Sequence, residues 1–371
     1  MERRGFVGGV AAAVGALTLH PGFSAQAQQR ALHARDEYDS YAKLAANENP
    51  YGPPESVMQA MTRAFKYANR YGYPDGDITW EIAQHHGVKP ENILLGAGSG
   101  EILDVAGTAF LSGGKKVVCA DPTFDSVYAH ATSIKADAIR IPLQEDFCQD
   151  IGATIQATKA YYRECGFVYL CNPNNPTGRI VTTKEVKLLL DGVPPDMPVL
   201  IDEAYHHFVE SPEYATSVPY VIEGRPVIVT RTFSKIAALA GMRLGYAIAP
   251  PELVRQMRPY TMGSINALVK WGGVAALKDL ESQATVKRVT LALRKNVTEQ
   301  LSVLGFKVIP SDANFFMVDI GRPVLGVIPR FREQGILVGR PFPPMMQHLR
   351  VSVGTADEMA RFMTAFRRIV V

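Results

Sequence analysis

Apolar positions in this chain follow two periods, and the alternation between them lays out a fold. Short continuous runs at 93–95, 116–119, 167–171, 199–201 and 227–229 are rich in Val, Ile and Leu and too short for buried helices. Such runs are the mark of strands covered on both faces of a mainly parallel sheet. Between them, apolar residues recur every three or four positions, notably over 57–68, from Gly100 through Leu111, and over 284–304, the spacing of helices with one buried stripe. Strand, loop and helix in repetition predict an α/β architecture. A further stretch, 241–249, returns to the sheet before Pro250 and Pro251 break the chain. Beyond Leu253 helical spacing dominates. A smaller α+β unit then closes the chain, with strands expected near 306–309, 315–318, 336–338 and 349–353. Ser56 stands where it can cap the 57–68 helix, and Tyr71, Tyr73 and Pro74 end that helix in an aromatic turn.

The first residues depart from this pattern. Arg3 and Arg4, an apolar run over 6–19 and the small residues Ser24, Ala25 and Ala27 predict a twin-arginine export signal over 1–27. Its apolar run is too short and glycine-rich to span a bilayer comfortably, so no stable membrane insertion is expected. A working signal places the protein in the periplasm; otherwise it stays cytoplasmic. The expected organisation is a signal at 1–27, an arm at 28–60 contributing to the small domain, a large domain at 61–265 and a small C-terminal domain at 266–371.

Composition narrows the function classes. With 371 residues, 47% of them hydrophobic, the chain can bury a large core. Its 39 basic and 36 acidic residues are spread along the sequence to a net charge of +3, without the basic stripe that nucleic acid requires. Cys119, Cys148, Cys165 and Cys171 form no CxxC pair and have no nearby histidine spacing, so no metal site is expected. Cys119 and Cys171 each close an apolar run and read as buried thiols, although export would permit a disulfide.

Candidate chemistry sits just past the strands. The 93–95 run leads into GAGSGE and a helix start, an arrangement that aims backbone N–H groups and a helix dipole at an anion, although its spacing is neither Rossmann nor Walker. The 116–119 run delivers Phe124, a possible stacking platform. The 167–171 run ends in NPNNPTG, where Asn–Pro pairs stiffen the turn around Asn175. Asp202 follows VLI directly, so its carboxylate is expected to be partly buried and to need a cationic or N–H partner, or to cap a helix. The 227–229 run ends in TFSK. A lysine between Phe233 and Ile236 is poorly hydrated, and burial lowers an ammonium toward the nucleophilic amine that forms an imine with an aldehyde. In an open α/β sheet these strand ends meet in one crevice. A ligand with a phosphate, a flat ring, a phenolic oxygen, a ring nitrogen and an aldehyde satisfies all of them: pyridoxal 5′-phosphate.

NENPYGPP, YPDG, GAGSGEIL, DPTF, NPNNPTG, DEAY, TFSK, Arg243, SDANFF and LRVSVGT, spread from Ala45 to the C-terminus, resemble the fold-type I pyridoxal-phosphate aminotransferases, and among them the histidinol-phosphate aminotransferase branch. The resemblance implies a large domain with a mostly parallel seven-stranded sheet and a smaller C-terminal domain. It implies that Lys235 carries the cofactor and moves the proton, that Asp202 pairs with the ring nitrogen, and that Tyr205 and Asn175 bond the ring oxygen. By the same resemblance Phe124 stacks on the ring, while Ser99, Gly100, Thr232, Ser234 and Arg243 hold the phosphate. Tyr73 reaches that phosphate from a neighbouring subunit, which makes the active form a homodimer with shared sites. Arg350 grips the substrate carboxylate, and Asn47, Asn314 and Arg340 border the substrate. The reaction implied is ping-pong transfer of an amino group between an L-amino acid or histidinol phosphate and a 2-oxo acid such as 2-oxoglutarate. The segment 339–350, GRPFPPMMQHLR, departs from the histidinol-phosphate pattern. An aromatic amino acid donor, and a decarboxylase of the threonine-phosphate type, are the alternatives.

Overall fold

The structure, a computed structural model, describes residues 37–134 and 136–371. The export signal expected at 1–27 lies outside the described residues. Lys43–Val371 form one compact unit, and within the preceding unit, Met1–Ala42, residues 37–40 are helical.

The central sheet has seven strands: β1 (Ile93–Gly96), β2 (Lys116–Asp121), β3 (Asp137–Pro142), β4 (Cys165–Cys171), β5 (Val199–Asp202), β6 (Val227–Thr232) and β7 (Gly245–Ile248). They lie in the order β1-β7-β6-β5-β4-β2-β3. Neighbours among β2 to β6 run parallel, whereas β7 runs antiparallel to both β1 and β6. Side chains alternate between the faces of a strand, and here they supply two cores. Val168, Leu170, Val199, Ile201, Val227 and Val229 enter one cluster, while Phe167, Tyr169, Cys171, Leu200 and Ile228 enter the other. Every residue of β5 and β6 is buried, in keeping with the apolar runs 199–201 and 227–229 that mark them in the sequence. β3 gave no such run, because it is an edge strand with only Ile141 buried.

Helix boundaries show one correction. Ser56 caps nothing: Pro54 occupies the N-cap of the helix Glu55–Ala64, and the Ser56 hydroxyl donates to Asp279 at 2.5 Å. The helix then tightens into a 3-10 turn, Phe65–Tyr67. In the smaller domain, Val308–Ile309, Phe315–Asp319 and His348–Ser352 form an antiparallel sheet. Helix Leu280–Val303 packs against it, and the helix Ala356–Ile369 adds Phe362, stacked 5.6 Å from Phe331. All four cysteines are free thiols.

Candidate active site

Because every strand but β7 runs one way, the loops after β1, β2, β4, β5 and β6 emerge on one edge of the sheet. β7 begins on that edge, with Gly245 paired to Thr232. This geometry collects residues far apart in sequence around one cleft.

Lys235 follows β6, between buried Phe233 and Ile236. Its Nζ donates to the Ala46 carbonyl at 3.1 Å and lies 5.5 Å from the centre of the Tyr205 ring. Desolvation, helped by the charge of Arg350, lowers its amine to about 8. At neutral pH such a lysine exchanges its proton far more readily than a surface one.

Asp202, at the end of β5, is 2% exposed. Its carboxylate accepts from Tyr169 Oη at 3.1 Å, Thr230 Oγ1 at 3.0 Å and the Ala204 amide at 3.2 Å, all uncharged donors. Burial raises its carboxyl above the usual range despite these bonds. It caps no helix, and what it lacks is a cation in contact, the complement of a protonated ring nitrogen. The Tyr205 hydroxyl accepts from Asn47 Nδ2 at 3.1 Å and Asn175 Nδ2 at 3.4 Å, and burial raises its phenol.

The loop after β1 forms the anion cradle. Gly98 has φ +83°, and a Cβ there would lie within 2.7 Å of the Arg243 Cζ. A Cβ on Gly245 would strike the Ser99 amide at the start of the helix Ser99–Leu111, which contains Gly100. Arg243, itself left-handed at φ 58°, donates to Ala97 O at 3.1 Å, Ala240 O at 2.9 Å and Ser234 Oγ at 3.5 Å. Thr232 Oγ1 donates to Ser234 Oγ at 2.9 Å. A helix N-terminus, two hydroxyls and a guanidinium therefore converge where backbone and ligand need room. The bare glycines, the cation-free buried Asp202 and the softened lysine fit pyridoxal 5′-phosphate.

Arg350 is 7% exposed. Its Nη1 donates to Asn175 Oδ1 and its Nη2 to Ala45 O, each at 2.6 Å, while Nε has no partner. Desolvation lowers its guanidinium to about 10. Asn47, in the left-handed region at φ 54°, is pinned by Ser352, with Asn47 N donating to Ser352 Oγ at 2.8 Å. Asn314 Nδ2 donates to Asn47 O at 3.1 Å, leaving its buried Oδ1 unpartnered. A cavity of about 530 Å³ includes Phe124, Asn175, Tyr205, Lys235, Arg340 and Arg350 in its wall.

Tyr73 is not among these residues: within its own chain its hydroxyl donates to Ile265 O at 2.6 Å. Four contributors were given no role from the sequence. Tyr169 and Thr230 meet Asp202 only because β4, β5 and β6 are neighbours; Thr230 pairs with Asp202 across the ladder. Ser352 and Asp125 enter through pairings between distant segments. Among the described residues no group of His, Cys, Asp and Glu could hold a metal ion.

The sequence profile of the family described as aminotransferase class I and II matches residues 39–366. The histidinol-phosphate aminotransferase of Moorella thermoacetica is 36% identical over 357 residues, covering 94% of this chain and 90% of that protein. Its counterpart from Brevibacillus brevis is 34% identical, covering 88% and 90%. The crystal structure of histidinol-phosphate aminotransferase from Sinorhizobium meliloti in complex with pyridoxal-5′-phosphate superposes with a TM-score of 0.82. It is 25% identical, and the match covers 88% of this chain and 90% of that one.

Proposed function

The chain belongs to the class I and II aminotransferases, and from that premise we propose that it moves an amino group between an L-amino acid or histidinol phosphate and a 2-oxo acid such as 2-oxoglutarate. The observation that carries this reading is the pairing of a desolvated Lys235 amine with a buried, cation-free Asp202 at one sheet edge. Pyridoxal 5′-phosphate is the cofactor, and when bound it supplies an aldehyde for the donor amine and a ring that stabilises negative charge on the donor carbon.

The rest is the work of the chain's own side chains. Lys235 would hold the cofactor through its aldehyde carbon, and once freed its Nζ would be the group that carries the proton between the donor α-carbon and that carbon, across the nitrogen that joins them. An amine near 8 suits both halves of that transfer. Asp202 keeps the ring nitrogen protonated, which raises the ring's capacity to accept charge. Tyr205 and Asn175 would hydrogen-bond the ring oxygen, and Phe124 would stack on the ring. Ser99, Gly100, Thr232, Ser234 and Arg243 hold the phosphate, with Tyr73 reaching it from a second copy in a homodimer. Arg350 orients the donor carboxylate through its planar fork, and Asn47, Asn314 and Arg340 border the substrate. The Arg3–Arg4 signal pattern supports export to the periplasm.

The experiment is to titrate purified protein with pyridoxal 5′-phosphate, follow its visible absorbance, and then supply donors singly with 2-oxoglutarate. A visible band that Lys235→Ala abolishes, and L-glutamate formed in step with donor loss, is the expected result. A protein that stays colourless, or an amine released together with carbon dioxide, defeats the proposal.

A further inference from the structure

Phe124 is followed by Asp125, and the strand Ile336–Val338 by Gly339 and Arg340, so two loops from different domains face each other across the cleft. Arg340 Nη2 donates to the Asp125 carboxylate, while Nη1 donates to Pro341 O at 2.9 Å. The guanidinium of Arg340 lies 4.3 Å from the centre of the Phe342 ring, and that of Arg350 lies 4.6 Å from the same ring. Phe342 is buried, whereas Arg340 and Asp125 are each about half exposed, at 49% and 55%. Besides Arg350 and Lys235, the cavity wall includes the apolar Ile328, Val338, Pro341 and Phe342, and its third cation, Arg340, is already matched by a carboxylate.

Resting on the aminotransferase reading, we propose that Asp125 is a specificity-determining residue. By occupying Arg340 it makes the donor pocket favour an uncharged, ring-bearing side chain over one that ends in phosphate. An exposed ion pair is weak, so displacing Asp125 from Arg340 is easy in itself. The discrimination comes afterwards. A phosphate dianion seated on Arg340 lies beside a carboxylate that has lost its partner and cannot leave the loop, and like charges at that range repel. A neutral ring requires no displacement: it packs on the apolar wall at Phe342 and leaves the ion pair closed. Arg350 is spared for the α-carboxylate in either case.

The test uses holoenzyme with L-phenylalanine and L-histidinol phosphate as alternative donors to 2-oxoglutarate. The wild-type protein is expected to show the higher kcat/KM with L-phenylalanine. In Asp125→Asn, which removes the charge and keeps the shape, the ratio of the two kcat/KM values should swing toward the phosphorylated donor by about tenfold or more, chiefly through its KM. Adding Arg340→Gln to that variant should erase the gain. A wild-type preference for the phosphorylated donor, or a ratio unmoved in Asp125→Asn, overturns the inference. Calorimetric titration of both donors separates this failure from that of the parent reading. If neither donor turns over but another L-amino acid does, the parent reading stands; if no donor turns over, the parent reading fails. The inference is still decided by whether Asp125→Asn gains about tenfold in affinity for L-histidinol phosphate relative to L-phenylalanine.

Discussion

The guanidinium of Arg243 fills the space that a side chain on Gly98 would occupy, its Cζ within 2.7 Å of the Cβ position. The two residues come from loops 145 positions apart in sequence, Gly98 after β1 and Arg243 before β7, and they meet because β1 and β7 are paired neighbours, with Gly96 opposite Gly245. The cradle is thus defined as much by the side chain Gly98 lacks as by the charge Arg243 brings.

Gly98→Ala is expected to weaken pyridoxal-phosphate binding by about tenfold or more, which corresponds to roughly 1.4 kcal/mol or more. The added methyl must push Arg243 out of the cradle, and alanine is strained at φ +83°. Equilibrium titration of the cofactor by absorbance measures this. An unchanged dissociation constant would show that Arg243 does not hold the phosphate.

Asp202→Asn separates stability from function. Burial already disfavours the charged carboxylate, so the neutral amide should leave the cofactor-free protein as stable as wild type or more so, while turnover falls by about 100-fold or more. Thermal unfolding without cofactor and steady-state rates with it read the two effects. Loss of both together would assign Asp202 a structural role.

Most of this site was legible because its residues stand directly after apolar runs. Asp202 closes a strand, and Asn175 and Lys235 follow strands, in which buried positions gave the apolar runs 167–171, 199–201 and 227–229. Tyr169 and Thr230 were not legible, since each looks like one more strand residue until neighbouring strands bring it to Asp202. β3 was missed for the opposite reason: an edge strand with a solvated face needs no apolar run. Ser56 misled because its capping chemistry was right but Pro54 already held the N-cap position, with φ −66° and ψ 160°.

Behind the site, Arg231 and Glu203 form a buried pair at 2.7 Å, and Glu203 also accepts from the Ser217 amide at 2.6 Å and Thr216 Oγ1 at 2.9 Å. Removing one partner strands a charge in the interior. Arg231→Met should therefore destabilise the protein by roughly 3–5 kcal/mol, and the double variant Arg231→Met, Glu203→Leu should recover part of that loss. Denaturant midpoints for the single and double variants close the cycle. A single variant within about 0.5 kcal/mol of wild type would contradict the assignment.

The same region sets the response to acid. His206 and His207 lie with ring centres 3.6 Å apart beside Arg231, and His86 donates to or accepts from Tyr246 Oη at 2.9 Å. Desolvation first, then the Arg231 charge, pushes His206 and His207 well below the ordinary histidine range and His86 down to about 3. In the unfolded chain these rings take up protons near pH 6.5. Above that pH both states are neutral and the histidines cost nothing. Below it the unfolded state binds the protons that the folded state refuses, so stability falls with pH, by up to about 1.4 kcal/mol per pH unit for each ring held neutral. For His86 the loss continues until its folded value near 3 is reached. The melting temperature should accordingly drop between about pH 6.5 and pH 5, and His207→Leu, which removes one such ring and its unpartnered Nδ1, should make that drop shallower. Melting curves across this range decide the matter. A wild-type protein equally stable at both ends would mean that these rings are hydrated, and a His207→Leu profile parallel to wild type would move the acid response elsewhere in the fold.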